Sequence, residues 1–436
     1  MSGDGYSRLS ELFATVEVVS SAHVPGSEVP LAVWAHDWVD LDGQRVSLDA
    51  VRSDPDRYVR LLSAARTHKS AACLCQTPPL QLVTRCNQAT GRHHLAVWPG
   101  QGPSHNPSCG FYRIDPEMSG QGCYESAAIR DTGAGTVAIR FAAPLMSKPG
   151  DARPEPSDSQ NSPGITRRSV GLLGLLHYLW DEARLSTWSP NSRGRNWAAV
   201  SAAATDQLAG ITISRQPADA VLHVVPPYSP ETAEANLTAF DEFITSLRAG
   251  PKQIRRGFVL GEIKEIHKSK FGFRYQLAHQ SPRRPIYVSD RLDVLLRRRH
   301  RHPFADAAAT VGGRKVGLFC VERSRNGFAT AVDAAVMLAH RSYVPADSSY
   351  EVQMADALIR AGRSFIKPLR YDTTEAVFPD FVLTDTSPKT VVEVWGLPGR
   401  EDYEARKATK QAHYQQSGTP LIEWNVTDPV PDVRQR

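Results

Sequence analysis

Thiol and imidazole side chains crowd one short stretch of the chain: Cys73-Leu74-Cys75, Cys86, His93-His94, His105 and Cys109. Thiolate sulfur and imidazole nitrogen are the preferred ligands of zinc, and four of them make a closed tetrahedral site whose ion is structural. Cys73, Cys75, His105 and Cys109 form the candidate set, with Cys86, His93 and His94 as rival ligands. A second group lies near the C-terminus: Glu351, Asp380 after Pro379, Glu393 between two valines, and Lys407 and Lys410 on one later helix. Two carboxylates on adjacent strands can hold a hard cation through oxygen, and such a cation polarises a phosphate and acidifies water. A third group is basic. Residues 252–301 hold 14 Lys and Arg against four Asp and Glu, with Arg255, Arg256, Lys264, Lys268, Lys270 and Arg274 set among Phe258, Phe271, Phe273 and Tyr275, and Arg297-Arg298-Arg299 closing the run. Cations interleaved with aromatics suit a phosphate backbone and stacked bases.

Each group needs elements to position it. Around the cysteines, strand-like runs at Leu80 to Arg85 and His93 to Trp98 flank a turn from Asn87 to Gly91, and a hairpin there returns His105 and Cys109 to Cys73 and Cys75. Around the acids, the spacing of Tyr350, Met354, Leu358 and Ala361 predicts a helix over 348–361. Strands follow at Phe365 to Leu369, Asp380 to Leu383 and Val391 to Trp395, then a helix from Glu401 to Gln416 and a strand from Pro420 to Trp424. Between the outer groups, helices over 169–184 and 195–208 flank the polar turn Ser189 to Gly194. That pair admits a helix-turn-helix with Arg193, Arg195 and Asn196 facing DNA. Gly261-Glu262-Ile263-Lys264 reads as the exposed face of a strand.

The chain has 436 residues, 41% hydrophobic and 22% charged, with a formal net charge of +5. These values describe a soluble globular protein with several cores. Met1 to Ser20 lacks a signal-peptide pattern, and the apolar run Val170 to Trp180 is too short to span a bilayer, so a cytoplasmic protein with no membrane partner is expected. Six cysteines in that compartment indicate metal before disulfides. The expected architecture is multidomain α+β. An N-terminal domain (1–146) contains the zinc module, and a Pro/Gly/Ser-rich linker (147–168) leads to a helical domain (169–250). A basic β-rich segment that contacts nucleic acid (251–345) and a C-terminal α/β domain (346–436) complete it.

The order helix, strand, strand, strand, helix, strand, with Pro379-Asp380 opening one strand and Glu393 on the next, resembles the PD-(D/E)XK nuclease superfamily, the restriction-endonuclease-like fold. That resemblance implies Mg²⁺ or Mn²⁺ at Asp380 and Glu393, with Glu351 as an accessory acid on the first helix. The family's lysine, two residues after the glutamate, is Trp395 here, and Lys407 or Lys410 is the substitute from the following helix. The whole chain from about residue 60 also resembles a bacterial family of domains of unknown function met among plasmid and integrative-conjugative-element genes. Cys73-Leu74-Cys75, His94-Leu95, Trp98-Pro99-Gly100, His105, Cys109, Leu172 to Trp188, Leu260 to Lys264, Pro379-Asp380-Phe381 and Glu393 to Gly396 carry that likeness. Together they imply a metal-dependent nuclease acting on DNA of a mobile element, with possible partner proteins from that element. The alternative is a catalytically inactive nucleic-acid-binding or scaffold protein that keeps a degenerate nuclease fold and the structural zinc.

Overall fold

A computed structural model describes residues 38–434 apart from 88–89, 134, 149–166, 249, 251–252, 374–377 and 397–400. Most of the expected linker, and the first 37 residues of the expected N-terminal domain, lie outside the described residues. Among those described, no helix is long and apolar enough to cross a membrane.

The described residues open with a hairpin, β1 (Trp38–Leu41) and β2 (Gln44–Ser47), turned at Asp42-Gly43. Both turn residues have positive φ, 53° and 83°, as an Asp-Gly hairpin turn requires. Helices α1 (Leu48–Ser53) and α2 (Val59–His68) then cover one face of a sheet that β3 (Ala71–Cys73), β4 (Leu80–Cys86) and β5 (His93–Val97) complete. The strand order is β2-β1-β3-β4-β5. Val39, Leu41, Leu62 and Leu82 make its core, and Cys73, Cys75 and Cys109 belong to the same cluster.

Beyond it come β6 (Ile129–Asp131), β7 (Val137–Ile139), β8 (Met146–Ser147), α3 (Leu172–Glu182), β9 (Thr187–Trp188), α4 (Trp197–Leu208), β10 (Ile211–Ile213) and β11 (Gln216–Pro217). Helix α5 (Ala218–Val221), strand β12 (Leu222–Val224) and helix α6 (Ala233–Ser246) follow. The elements of residues 169–250, expected as a helical domain, include strands that pair beyond that range. Strand β10 pairs in parallel with β7, across the expected linker, and β8 pairs with the strand at Ile254 and Arg255. Helix α3 is buried from Gly174 to Trp180, too apolar on all sides for a surface helix, and joins the large core cluster. The pair α3–α4 is not a helix-turn-helix, because β9 intervenes. Arg195 is spent on the carbonyls of Leu185 and Thr187 (3.1 and 2.6 Å), and Asn196 caps α4 by accepting from the Ala199 N–H (3.1 Å).

Strands β13 (Ile254–Ser269), β14 (Gly272–Leu277) and β15 (Ile286–Val288), helices α7 (Asp290–Arg299) and α8 (Asp306–Thr310), and strands β16 (Arg314–Arg323) and β17 (Ala329–Ala339) form the middle of the molecule. The pairing runs β13-β14-β15-β17-β16, and β16 pairs back onto β13, so five strands close into a small barrel. The 16-residue β13 serves both ends of the ring, and a register shift between Ile263 and Glu265 lets it bend. Its stretch from Arg256 to Ile263 is buried throughout, so Glu262 is not on an exposed face. Its carboxylate accepts from Arg314 (2.7 Å) and the Tyr343 hydroxyl (2.6 Å).

The last unit comprises β18 (Pro345–Ala346), α9 (Ser349–Arg360), β19 (Phe365–Ile366), β20 (Phe381–Leu383), β21 (Thr390–Trp395), α10 (Glu401–Gln416) and β22 (Leu421–Asn425). Its sheet runs β22-β21-β20-β19-β9, antiparallel except that β22, returned by α10, lies parallel to β21. The edge strand β9 comes from residues 187–188, with Trp188 opposite Phe365. Met354, Leu358, Phe365, Phe381, Val392 and Trp424 form the core between α9 and the sheet.

Candidate metal centre and carboxylate site

The β4–β5 hairpin places Leu82 opposite Val97 and sends the chain back over the end of β3. There the Sγ atoms of Cys73, Cys75 and Cys109 and a ring nitrogen of His105 all lie within 4.8 Å of one another, and all four residues are buried. His105 Nδ1 stands 3.3 Å from Cys75 Sγ and 3.7 Å from Cys109 Sγ. Cys73 and Cys109 sulfurs are 3.5 Å apart, far beyond a disulfide bond and close to the edge of about 3.8 Å of a tetrahedron with 2.3 Å zinc–sulfur bonds. The Phe111 N–H points at Cys109 Sγ from 3.3 Å. The hydrogen bond from Cys73 and that from His105 hold the Cys109 thiol down to about 4, while the same contact, and then burial, push Cys73 up. Burial also raises Cys75. Three thiols in one dry pocket cannot all ionise unless a cation joins them, and this donor set can hold a metal such as zinc. The rivals are elsewhere: Cys86 lies against the Asn87 carbonyl, and both ring nitrogens of His94 are buried without partners, with burial lowering it to about 3.

Asp380 and Glu393 sit on neighbouring strands of the C-terminal sheet, Asp380 just before β20 and Glu393 within β21. Asp380 Oδ2 accepts the Val394 N–H at 2.8 Å, which ties the two acids together. Glu393 is fully buried. Lys410 reaches it from α10 with its ammonium 3.0 Å from Oε1 and 2.8 Å from Oε2, while also donating to the Phe378 carbonyl at 2.9 Å. The Tyr414 hydroxyl, one turn further along, donates to Glu393 Oε1 at 2.7 Å. Burial, and then the charge of Asp380, raise Glu393 to about 7 against the pull of Lys410.

Glu351, in the first turn of α9, occupies the other side of this group. Its carboxylate lies 2.9 Å from Lys367 Nζ and accepts the Asp347 N–H at 2.9 Å. Lys367 also meets Asp347 at 2.9 Å, and Arg370 meets Asp347 at 2.7 Å. Burial raises Glu351 to about 7, more than Lys367 can offset. Burial opposes the charge on Lys367, yet Asp347, Glu351 and Asp380 outweigh it and hold the ammonium above its usual range. Four carboxylates (Asp347, Glu351, Asp380, Glu393) thus stand among three cations (Lys367, Arg370, Lys410), with Glu351, Lys367, Asp380 and Glu393 buried and Asp347 and Arg370 partly exposed. Of these, Asp380 and Glu393 are the carboxylates that could offer oxygens to a hard cation, and Glu393 already engages Lys410.

The other expected residues divide. Lys407 is not at the acids. It donates to Asn425 Oδ1 (2.7 Å) and lies over the Trp395 ring, 5.2 Å from its centroid. Arg256 is no surface contact, for its side chain is 2% exposed, pairs with Glu322 at 2.8 Å and donates to the Pro144 carbonyl. Phe258 and Tyr275 are core residues. Arg297 pairs with Asp293, Arg299 faces Asp333, Arg298 is exposed but not free, and Lys268 is bound to Asp290. Arg255, Lys264, Lys270 and Arg274 are exposed. Lys367, Asp347, Arg370 and Tyr414 are the members of the site that sequence reasoning missed. Two of them had a signal: Lys367 shares a strand face with buried Phe365 at period two, where a lysine demands a buried partner, and Tyr414 stands four residues after Lys410 on one helix face.

A family model described as "Protein of unknown function (DUF1173)" matches residues 45–427. No curated protein and no solved structure matches the chain.

Proposed function

The chain belongs to the DUF1173 family, and we propose that its C-terminal unit is a restriction-endonuclease-like, divalent-metal-dependent hydrolase of phosphodiester bonds in DNA, carried on a zinc-stabilised scaffold. The observation that carries this is the bidentate grip of Lys410 on Glu393 beside Asp380. The lysine absent from β21, where Trp395 stands, is replaced by one from α10 that reaches the same carboxylate. The element order and the parallel return of β22 support the same reading.

A divalent ion held by Asp380 and Glu393 would supply Lewis-acid polarisation of the phosphate and an acidified water. Lys410, already 2.8 Å from Glu393, is placed to orient that water and to balance charge on the pentacoordinate phosphorus. Tyr414 fixes the Glu393 carboxylate in position, and Lys367 anchors Glu351 toward Asp380. The zinc proposed at Cys73, Cys75, His105 and Cys109, with all positions filled by protein, has no open site for chemistry.

The test is cleavage of supercoiled plasmid and single-stranded DNA with Mg²⁺ or Mn²⁺, comparing wild type with Asp380→Asn and Glu393→Gln. Cleavage by the wild type that falls at least about 100-fold in both variants supports the proposal, since each removes a metal-binding charge. Absence of cleavage by the wild type in either metal overturns it. One observation favours the second reading, a scaffold with a degenerate site: Glu393 is wholly buried and both its oxygens are engaged. DNA binding without cleavage is its expected result.

A further inference from the structure

Two phenylalanines break the usual rule of burial in the closed barrel. Phe271, 84% exposed, sits at the two-residue tip of the β13–β14 hairpin, and Phe328, 44% exposed, ends the β16–β17 connection. They are the two exposed phenylalanines among the described residues. Phe328 packs against Tyr287 with ring centroids 5.2 Å apart.

The register shows what lies between them. On β14, Tyr275 and Leu277 are buried in the barrel, so Arg274 points outward by the two-residue alternation and is exposed. Arg274 pairs directly with Tyr287 on β15, and Tyr287 pairs with Thr330 on β17, two residues beyond Phe328. Arg274, Tyr287 and Phe328 therefore follow one another across the outer face, and Phe271 stands at the hairpin tip three residues before Arg274. Lys270 flanks Phe271, its ammonium 5.2 Å from the ring centroid, and Arg325 stands exposed on the loop before Phe328.

We infer that this surface, Phe271, Arg274, Tyr287 and Phe328 with Lys270 and Arg325, binds a single-stranded nucleic acid across the barrel, its bases stacked on the aromatic rings and its phosphates met by the three cations. Exposed aromatic faces beside unburied cations are what an unpaired strand needs, because every base offers a flat face once it leaves a duplex. A duplex hides those faces. One class of five-stranded barrel binds oligonucleotides on the face of its second and third strands and on adjoining loops, and β14 and β15 are the second and third strands of this five-stranded ring. The inference deepens the nucleic-acid reading above by naming the strand form and the contact residues, and it is independent of catalysis.

The test uses the full-length protein, without added divalent metal, and follows binding of a labelled 20-nucleotide oligothymidine and of a duplex of equal length by fluorescence anisotropy over a range of salt. The single strand is expected to bind at least about 10-fold more tightly than the duplex. Phe271→Ala with Phe328→Ala is expected to weaken it by about 10- to 100-fold, each stack being worth about 10-fold. Arg274→Ala should reduce the salt slope by about 0.7. Phe271→Ala alone covers the case in which losing the Phe328–Tyr287 contact disturbs the loop. No wild-type binding at low salt, equal affinity for duplex, or unchanged affinity in the Phe271→Ala protein overturns the inference; the last with binding intact places the strand elsewhere. Cleavage with normal binding by the phenylalanine variants would sink this surface and leave the nuclease standing, whereas single-strand binding lost in those variants without any wild-type cleavage would do the reverse.

Discussion

Replacing Lys410 with methionine isolates the electrostatics of the carboxylate site. In the wild type, folding raises Glu393 from its ordinary value of 4.5 to about 7. A rise of that size costs folding about 3 kcal/mol once the pH exceeds 7. The sign follows from proton binding: the folded state holds this proton longer than the unfolded state, so stability falls as pH climbs from 4.5 to about 7 and then levels. Lys410 opposes the rise, so removing it pushes Glu393 further up and the decline continues past pH 7. At pH 6, where Glu393 is largely protonated in both proteins, the substitution should cost about 1 kcal/mol for the lost hydrogen bond. By pH 8.5, where the uncompensated carboxyl must ionise for the fold to keep its charge state, the loss should be larger, about 3 kcal/mol, at the lower end of the range for breaking a buried ion pair. Hydrogen exchange of the β21 amides, Thr390–Trp395, corrected for intrinsic rates, reads this locally at pH 6 and 8.5 without requiring the whole chain to unfold in one step. Equal losses at the two pH values would refute the reasoning. So would a Lys410→Met/Glu393→Gln protein that kept the pH dependence, because the second change removes the group that titrates.

Elemental analysis of protein never exposed to chelator should find about one zinc per chain, and Cys75→Ser or Cys109→Ser should abolish it and unfold the N-terminal sheet first, as peptide-level protection will show. Asp372 joins distant segments by accepting from the Tyr124 hydroxyl and from the Gly171 and Gly174 N–H groups at the start of α3 (2.6 and 3.1 Å for the latter two). Asp372→Ala should therefore cost about 2–3 kcal/mol in a denaturant titration, from lost capping and stranded donors. Arg256→Ala should destabilise by about 3 kcal/mol, because Glu322 and the Pro144 carbonyl lose a buried partner, yet leave nucleic-acid affinity unchanged. A large affinity loss in folded Arg256→Ala protein would contradict its place in the core.

Local pattern was enough for some of this. The ligand set Cys73, Cys75, His105 and Cys109 was legible because a hairpin of predictable length joins the two halves, and a short loop fixes where its ends meet. The C-terminal elements were legible because helical and strand periodicities alternate there with clear Gly and Pro breaks: α9, β20, β21 and α10 lie within a residue or so of expectation. Aromatics between lysines and arginines marked residues 252–301, and Phe271, Lys270 and Arg274 do lie on the surface.

What sequence could not decide was partnership across distance. Whether Lys407 or Lys410 meets Glu393 depends on how α10 rotates against β21, and a helical repeat of 3.6 residues sends two lysines three positions apart in directions that differ by about 60°. That rotation gives Glu393 to Lys410 and leaves Lys407 to Asn425 and Trp395. Arg256 and Arg274 look alike in the chain, yet closure of β16 onto β13 buries the first with Glu322 and leaves the second outside. Strand β9 lends Trp188 to a sheet whose next strand begins at Phe365, and Lys367 finds Asp347 and Glu351 only when α9 packs over that sheet. Sequence records side-chain chemistry and local period. The partner of a buried charge is fixed by packing, because only the folded chain excludes the water that would otherwise serve every charge equally.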